Sequence, residues 1–272
     1  MDKNNTWAGN ALAKEIAFLR WGKTLADRRL KESLPSLYDY GDSPDDLWCR
    51  REYTEGQFIN EEPSCFLLKE DFLNDATPAV LADFLSRLHR ASVDLPSYLS
   101  HCFQTSYSLT NFARCLAWER VSAEFLTDDE RLKIKQLIAE NEELFNRNQT
   151  KLCHYEFYGT HLLLTPDNKL KVIDWENVGL GNIAHDLATI YLRGFTNPKW
   201  QSELVRFYGE TVGDRAVFNF LFRVEVLFQS LGDIRYFLTT AEPLEVTVKD
   251  LALTYFRSEV SKSLAALETL RV

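Results

Sequence analysis

The five cysteines of this 272-residue chain (49, 65, 102, 115 and 153) form no CxxC pair, and their odd number leaves one without a partner. That argues against a disulfide framework and predicts free thiols in a reducing cytoplasm. Long apolar runs are also missing. Residues 218–227 are interrupted by Arg223 and Glu225, far short of the roughly 20 apolar residues that cross a bilayer. The opening Met1-Asp2-Lys3-Asn4-Asn5 lacks the basic-then-apolar order of a secretion signal. Positive charge is in deficit, with 31 Lys and Arg against 40 Asp and Glu, a net charge of −9. An acidic surface repels phosphates, so no nucleic-acid partner is expected, and the balance leans toward cationic small molecules. Neither a solenoid-period repeat nor a low-complexity stretch is visible. What the chain does have is material for a core: 45% hydrophobic residues, including 18 Phe, 11 Tyr and 6 Trp. That suits one large domain or two lobes sharing a cleft.

Periodicity predicts a first helix over 11–26, with Leu12, Ile16 and Leu19 at helical spacing. Two strands follow at 36–40 and 47–53, separated by the turn formers of 41–46. Beyond Gly56 the chain is expected to be helical. Residues 78–89 carry Val80, Leu81, Phe84, Leu85 and Leu88 on one face, and His89 reads as a cation at the helix C-terminus. Thr127-Asp128-Asp129-Glu130 is a capping box ahead of a helix over 132–145. Two short β runs, 162–164 and 170–173, flank a Thr-Pro-Asp-Asn-Lys turn. From about 183 onward the pattern is helical, with long pieces at 218–237 and 247–270. Few strands and many helices, without βαβ alternation, make the fold class α+β.

The chemistry gathers in residues 153–187. Glu156 and His161 precede the central hairpin and Asp174 ends it. Strands this short put their flanking loops at one end, so the three side chains can converge. Two carboxylates and an imidazole at the mouth of a cleft suit Mg²⁺ binding and hydroxyl activation. His161 alone reads as a hydrogen-bonded loop histidine rather than a ligand. A zinc site from His154, Glu156, His161 and His185 is the weaker alternative, because the spacing matches no standard helix or finger pattern.

The segment resembles the catalytic core of the aminoglycoside phosphotransferase and choline kinase family, small-molecule relatives of protein kinases. That family carries a His-Gly-Asp-x-x-x-x-Asn loop, a hairpin, Ile-Asp-Trp/Phe-Glu and then Asp-Leu-Ala. Here His154 stands at the loop histidine, Ile173-Asp174-Trp175-Glu176 at the strand end and Asp186-Leu187-Ala188 at the next helix start. Leu85-Ser86-Arg87-Leu88-His89 resembles a family helix ending, and residues 47–56 resemble the strand, hinge and glycine joining two lobes. Three positions depart from the pattern: Tyr155 for glycine, Glu156 for the catalytic aspartate and His161 for the metal-binding asparagine. Only 14 residues precede Glu15, too few for the family's phosphate loop and flanking strands at about 5 residues each.

The resemblance implies a protein-kinase-like fold with a partial N-lobe over 1–56 and a helical C-lobe over 57–272. It implies transfer of a phosphoryl group from ATP, with Mg²⁺, to a hydroxyl of a small molecule, amines among the candidates. Glu156 would be catalytic, and Asp174 and His161 would hold the metal. Backbone groups around Glu52, Tyr53 and Thr54 would meet the adenine edge. Glu15 would pair with a phosphate-binding lysine, and His154 and Asp186 would brace the loop. The phosphate loop not found ahead of Glu15 and the replacements at Glu156 and His161 leave a second reading, a silent pseudokinase that binds a ligand or a partner protein.

Overall fold

The computed structural model describes residues 6–42, 46–60, 66–97, 99, 103, 125–239 and 245–270. Helix α1 (Thr6–Thr24) stops two residues before the predicted end, because the Thr24 hydroxyl donates to the Trp21 carbonyl at 2.7 Å. Asp27 then accepts the Leu30 N–H as N-cap of α2 (Arg28–Glu32), so the chain must leave the first helix before it. Strands β1 (Leu37–Asp42) and β2 (Leu47–Arg51) pair antiparallel, Leu37 opposite Arg51 and Asp42 opposite Leu47. Positions 43–45 of the predicted turn lie outside the described residues.

The expectation of helix directly after Gly56 is corrected by a two-residue strand, β3 (Gln57–Phe58), and an Asn60–Leu68 bridge. Helix α3 (Thr77–Ala91) follows, with Pro78 in its first turn. Helix α4 (Asp128–Arg147) begins at the predicted capping box: Glu130 N–H donates to Thr127 Oγ1, and Glu130 Oε2 accepts the Thr127 N–H. Then come β4 (Lys151–Cys153), β5 (Leu162–Leu164), β6 (Leu170–Val172) and β7 (Gly179–Gly181). Strands β3, β5 and β6 form one antiparallel sheet in that order, and β4 pairs with β7. Strands β3, β4 and β7 are too short for alternation to show in the sequence. Four helices complete the chain: α5 (His185–Arg193), α6 (Pro198–Gly209), α7 (Arg215–Thr239) and α8 (Val246–Leu267). No helix among the described residues is long and apolar enough to cross a membrane. Cys49 and Cys153 are free thiols; Cys65, Cys102 and Cys115 lie outside the described residues.

Trp175 ties the layers together. Its ring is fully buried and stacks on Phe18 of α1 at 4.0 Å between centroids, while His154 meets it edge-on at 4.6 Å. Phe84 of α3 lies 6.5 Å away, and the indole N–H donates to the Val172 carbonyl. One side chain thus fixes the first helix, the central hairpin and the helical layer relative to one another. On the far side, Phe66, Phe237 and Phe256 interlock, and Trp200 of α6 donates to Thr77 Oγ1 of α3.

His89 is not the exposed helix-end cation the sequence suggests. It is buried, its Nδ1 lies 2.6 Å from the Tyr208 hydroxyl, and burial depresses its pKa to about 3. Its position continues the Leu81–Leu85 spacing, which puts it on the core face rather than on the solvent side. His154 is likewise buried and depressed to about 3. A histidine that stays neutral when folded but protonates at 6.5 when unfolded adds stability above that pH and loses it on acidification. The loss is roughly 1.4 kcal/mol per pH unit for each group. Urea unfolding between pH 7 and 5 should show His89→Gln with a shallower fall in stability than wild type. Parallel slopes would show that His89 is not held neutral.

Candidate active site

The β4–β7 ladder sets Cys153 opposite Gly179 and delivers the chain into the 154–161 loop. That loop hangs on Asp186, in the first turn of α5. Its carboxylate is fully buried and accepts the His154 N–H at 2.7 Å and the Tyr155 N–H at 3.0 Å. Burial raises the Asp186 carboxyl above its ordinary range, while His185 and the two N–H donors oppose the shift. The double grip bends Tyr155 into the left-handed region at φ 67°, a conformation that costs a residue with a Cβ about 1–2 kcal/mol. The Tyr155 hydroxyl repays part of that by donating to the Leu180 carbonyl at 2.6 Å. Gly181 permits the approach, since a Cβ there would stand 2.8 Å from the Tyr155 oxygen and 2.7 Å from Cys153 Sγ.

His154 acts as a brace. Its Nδ1 accepts the Glu156 N–H, so the ring proton sits on Nε2 and donates to the Ile173 carbonyl at 2.8 Å. The neutral form that burial imposes is the form this bridge needs. Through it the loop is fastened to the strand end that carries Asp174. Asp174 also has a left-handed backbone, φ 65°, which turns the chain out of β6 and into a short helical turn at Trp175–Asn177.

The predicted convergence is present: Glu156, His161 and Asp174 each offer a ligand atom within 4.8 Å of the others. His161 Nδ1 donates to the Glu156 carbonyl at 2.8 Å, and Nε2 lies 3.3 Å from Asp174 Oδ2. With Nδ1 turned to that carbonyl, Nε2 is the ring atom that faces the Asp174 carboxylate. Adjacent ligands about 2.1 Å from an octahedral Mg²⁺ stand about 3 Å apart, and oxygen donors dominate such sites. Asp174 and Glu156 fit that chemistry, with His161 the poorer donor. Beside them stands a second pair of acids. Burial raises Glu176, and Asp174 and Glu156 raise it further. Glu15 of α1 is raised by burial, opposed by Arg51 and reinforced by Asp174; it also accepts the Trp175 N–H.

The sequence model of the phosphotransferase enzyme family matches residues 8–221, most of the chain and all of these motifs. The chain belongs to the phosphotransferase enzyme family. Solved structures agree on the fold. An aminoglycoside phosphotransferase from Alicyclobacillus acidocaldarius superposes with a TM-score of 0.58 at 16% identity, covering 96% of this chain and 83% of that one. A choline/ethanolamine kinase family protein from Mesorhizobium loti gives 0.56 at 17% identity, covering 91% and 82%. The GDP complex of wild-type aminoglycoside 2'-phosphotransferase-IIIa gives 0.59 at 14% identity, covering 96% and 84%. No curated protein sequence matches the chain.

As a phosphotransferase family member, the chain shows two departures that its geometry explains. The position where the family pattern has glycine is left-handed, and the Asp186 and Leu180 contacts help hold Tyr155 there. The expected lysine partner of Glu15 is replaced by Arg51 of β2, whose Nη1 lies 2.9 Å from Glu15 Oε1. Alternation along β2 puts Leu47, Cys49 and Arg51 on its inner face, but it does not single out Glu15 as the partner. At the hinge, the Glu52 N–H donates to the Ser36 carbonyl and its carboxylate holds Lys171 at 2.9 Å. Tyr53 is 91% exposed and the Thr54 hydroxyl is buried without a hydrogen-bond partner.

Asp186→Asn tests the brace. An amide offers one acceptor oxygen and turns an NH₂ toward a backbone donor, so the loop loses one hydrogen bond and gains a clash. The expected cost is about 2–4 kcal/mol by denaturant titration, with faster amide exchange at His154 and Tyr155. Unchanged exchange there would show that Asp186 does not hold the loop.

Proposed function

We propose that the protein transfers the γ-phosphoryl group of ATP to a hydroxyl of a small molecule, with Glu156 as the proton acceptor and Asp174 as the principal metal ligand. The convergence of Glu156, His161 and Asp174 within 4.8 Å carries this reading, together with the family match. On this reading the hinge around 52–56 joins a partial N-lobe, 1–56, to a C-lobe, 57–272, and backbone groups around Glu52, Tyr53 and Thr54 would meet the adenine edge. Free thiols at Cys49 and Cys153 suit a reducing cytoplasm.

In the transfer, the acceptor oxygen forms a bond to the γ-phosphorus as the β–γ bridging bond breaks and ADP leaves. The hydroxyl proton passes to the Glu156 carboxylate. Bound Mg²⁺ supplies charge neutralisation on the β- and γ-phosphates. The work of the chain is positioning. His154 fastens the loop to the Ile173 carbonyl, Asp186 holds two loop amides, and His161 ties the Glu156 carbonyl to the metal-facing side. Glutamate at 156 reaches one methylene further than aspartate, and a misplacement of roughly 1 Å can cost about 100-fold in rate. The braces around the loop therefore matter more here than with the shorter acid. The family match lends the pseudokinase reading no support.

Thermal unfolding with ATP near 100 Kd should rise by the equivalent of about 2.7 kcal/mol with Mg²⁺ present. Asp174→Ala should abolish the metal-dependent part, and absence of any nucleotide shift in the wild type would refute the proposal. Glu156→Gln should keep the shift and lower kcat about 10²–10⁴-fold; equal turnover would remove Glu156 from the chemistry.

A further inference from the structure

Glu15 and Arg51 form an ion pair whose two ends meet different surroundings. The Glu15 side chain is 8% exposed and the Arg51 side chain 35%, so the acid is the buried end and the guanidinium the end that faces solvent. Glu15 also accepts the Trp175 N–H, which fastens the pair next to Asp174 along the chain. The Arg51 charge acts on Glu176 as well, an acid that Asp174 and Glu156 act on from the other side. A guanidinium thus stands beside the acids of the candidate active site, held from behind by a carboxylate of α1.

The geometry of the pair leaves that guanidinium available. Its Nη1 lies 2.9 Å from Glu15 Oε1, yet Oε1 receives no aligned hydrogen bond among the described residues. The two groups attract by charge while the Arg51 N–H groups aim past the acid. A guanidinium carries five N–H donors in one plane, so most of the fork is free for a second partner. Lys171 of β6, the neighbouring cation at the hinge, shows the opposite arrangement. It is less exposed, and it donates to the Leu34 carbonyl at 3.2 Å and to Glu52 Oε1 at 2.9 Å. Lys171 closes a structural contact, whereas Arg51 presents its donors outward.

Charge then selects the partner. A cationic ligand is repelled by Arg51, and a lone anion is repelled by Glu15, Glu156, Asp174 and Glu176. A phosphate chain that carries a divalent cation suits both: the cation meets the carboxylates, and paired phosphate oxygens match the planar fork bidentately. We propose that Arg51 grips the phosphate oxygens of the bound nucleotide, with Glu15 as the positioning residue that aims it. This deepens the phosphotransferase reading and rests on it for expecting a nucleotide at this place.

Calorimetric titration of the full chain with ATP, tripolyphosphate and adenosine, all with Mg²⁺ present, tests it. Arg51→Met should weaken ATP and tripolyphosphate by about tenfold or more and leave adenosine as in the wild type. Arg51→Lys keeps the charge without the fork and should fall between the two. Since Arg51→Met leaves a buried acid unpaired, the double variant Arg51→Met/Glu15→Gln removes both charges and should show the same selective loss. Glu15→Gln alone keeps an acceptor for the Trp175 N–H but frees Arg51, and should weaken ATP less than Arg51→Met does. Unchanged ATP affinity in Arg51→Met and the double variant overturns the inference, as does an equal loss for adenosine, the mark of a structural role. A wild-type protein that binds neither ATP nor tripolyphosphate overturns it too. Turnover on the same samples separates the two readings: Arg51-dependent phosphate binding without transfer to a hydroxyl supports the inference while removing the phosphotransferase assignment.

Discussion

A buried carboxylate that holds two backbone amides controls the geometry of this active site. Asp186 sits where its negative charge has no water, and such a group is tolerated only when hydrogen bonds replace hydration. The bonds available are the N–H groups of His154 and Tyr155. Accepting both forces the peptide between them to face α5, and that pushes Tyr155 across to positive φ. The sharp reversal brings Glu156 back over the end of the hairpin, where His161 and Asp174 stand. The same reversal sends the Tyr155 ring the other way, against His185 at 4.5 Å and into the wall of a cavity that Phe66 and Tyr236 also line. One interaction thus sets where both the Glu156 side and the Tyr155 side of the loop face. The tolerance for tyrosine in place of glycine follows: the strain, about 1–2 kcal/mol, is comparable to what the added hydroxyl bond and ring packing contribute.

The parts of this arrangement legible in the sequence were those set by short chain distance. Glu156, His161 and Asp174 flank a hairpin whose strands have three residues each, so its geometry leaves little freedom in where its ends point. The capping box at Thr127 is local in the same sense, as is the amphipathic face of α3. Pairings between distant segments were not legible. Arg51 and Glu15 meet only because α1 packs across the β1–β2 ribbon, and nothing in either segment names the other. The strands β3, β4 and β7 exist because partners far along the chain supply their ladders, and two or three residues cannot display a period. His89 shows a different failure. A basic residue at a helix end fits the dipole rule, but burial outweighs a surface dipole term of under about 1 kcal/mol when the position faces the core.

Net charge illustrates the same limit at larger scale. An excess of nine negative charges does not say where the surplus lies, and the structure divides it unevenly between the two sides of the loop. At the metal-facing side, Glu15, Glu156, Asp174 and Glu176 share one guanidinium, Arg51, and one imidazole, His161. Burial and mutual repulsion push Glu15 and Glu176 upward, which is the signature of a site short of positive charge. At the Tyr155 side, Asp233 is paired with Arg193 and Glu225 with His185. A cation held among the acids of the first side would relieve their repulsion. Net charge therefore gives no guide to where on the chain a positive ligand is favoured: the crowding of acids around Asp174, and not the total, makes that side the place where added positive charge lowers the repulsion.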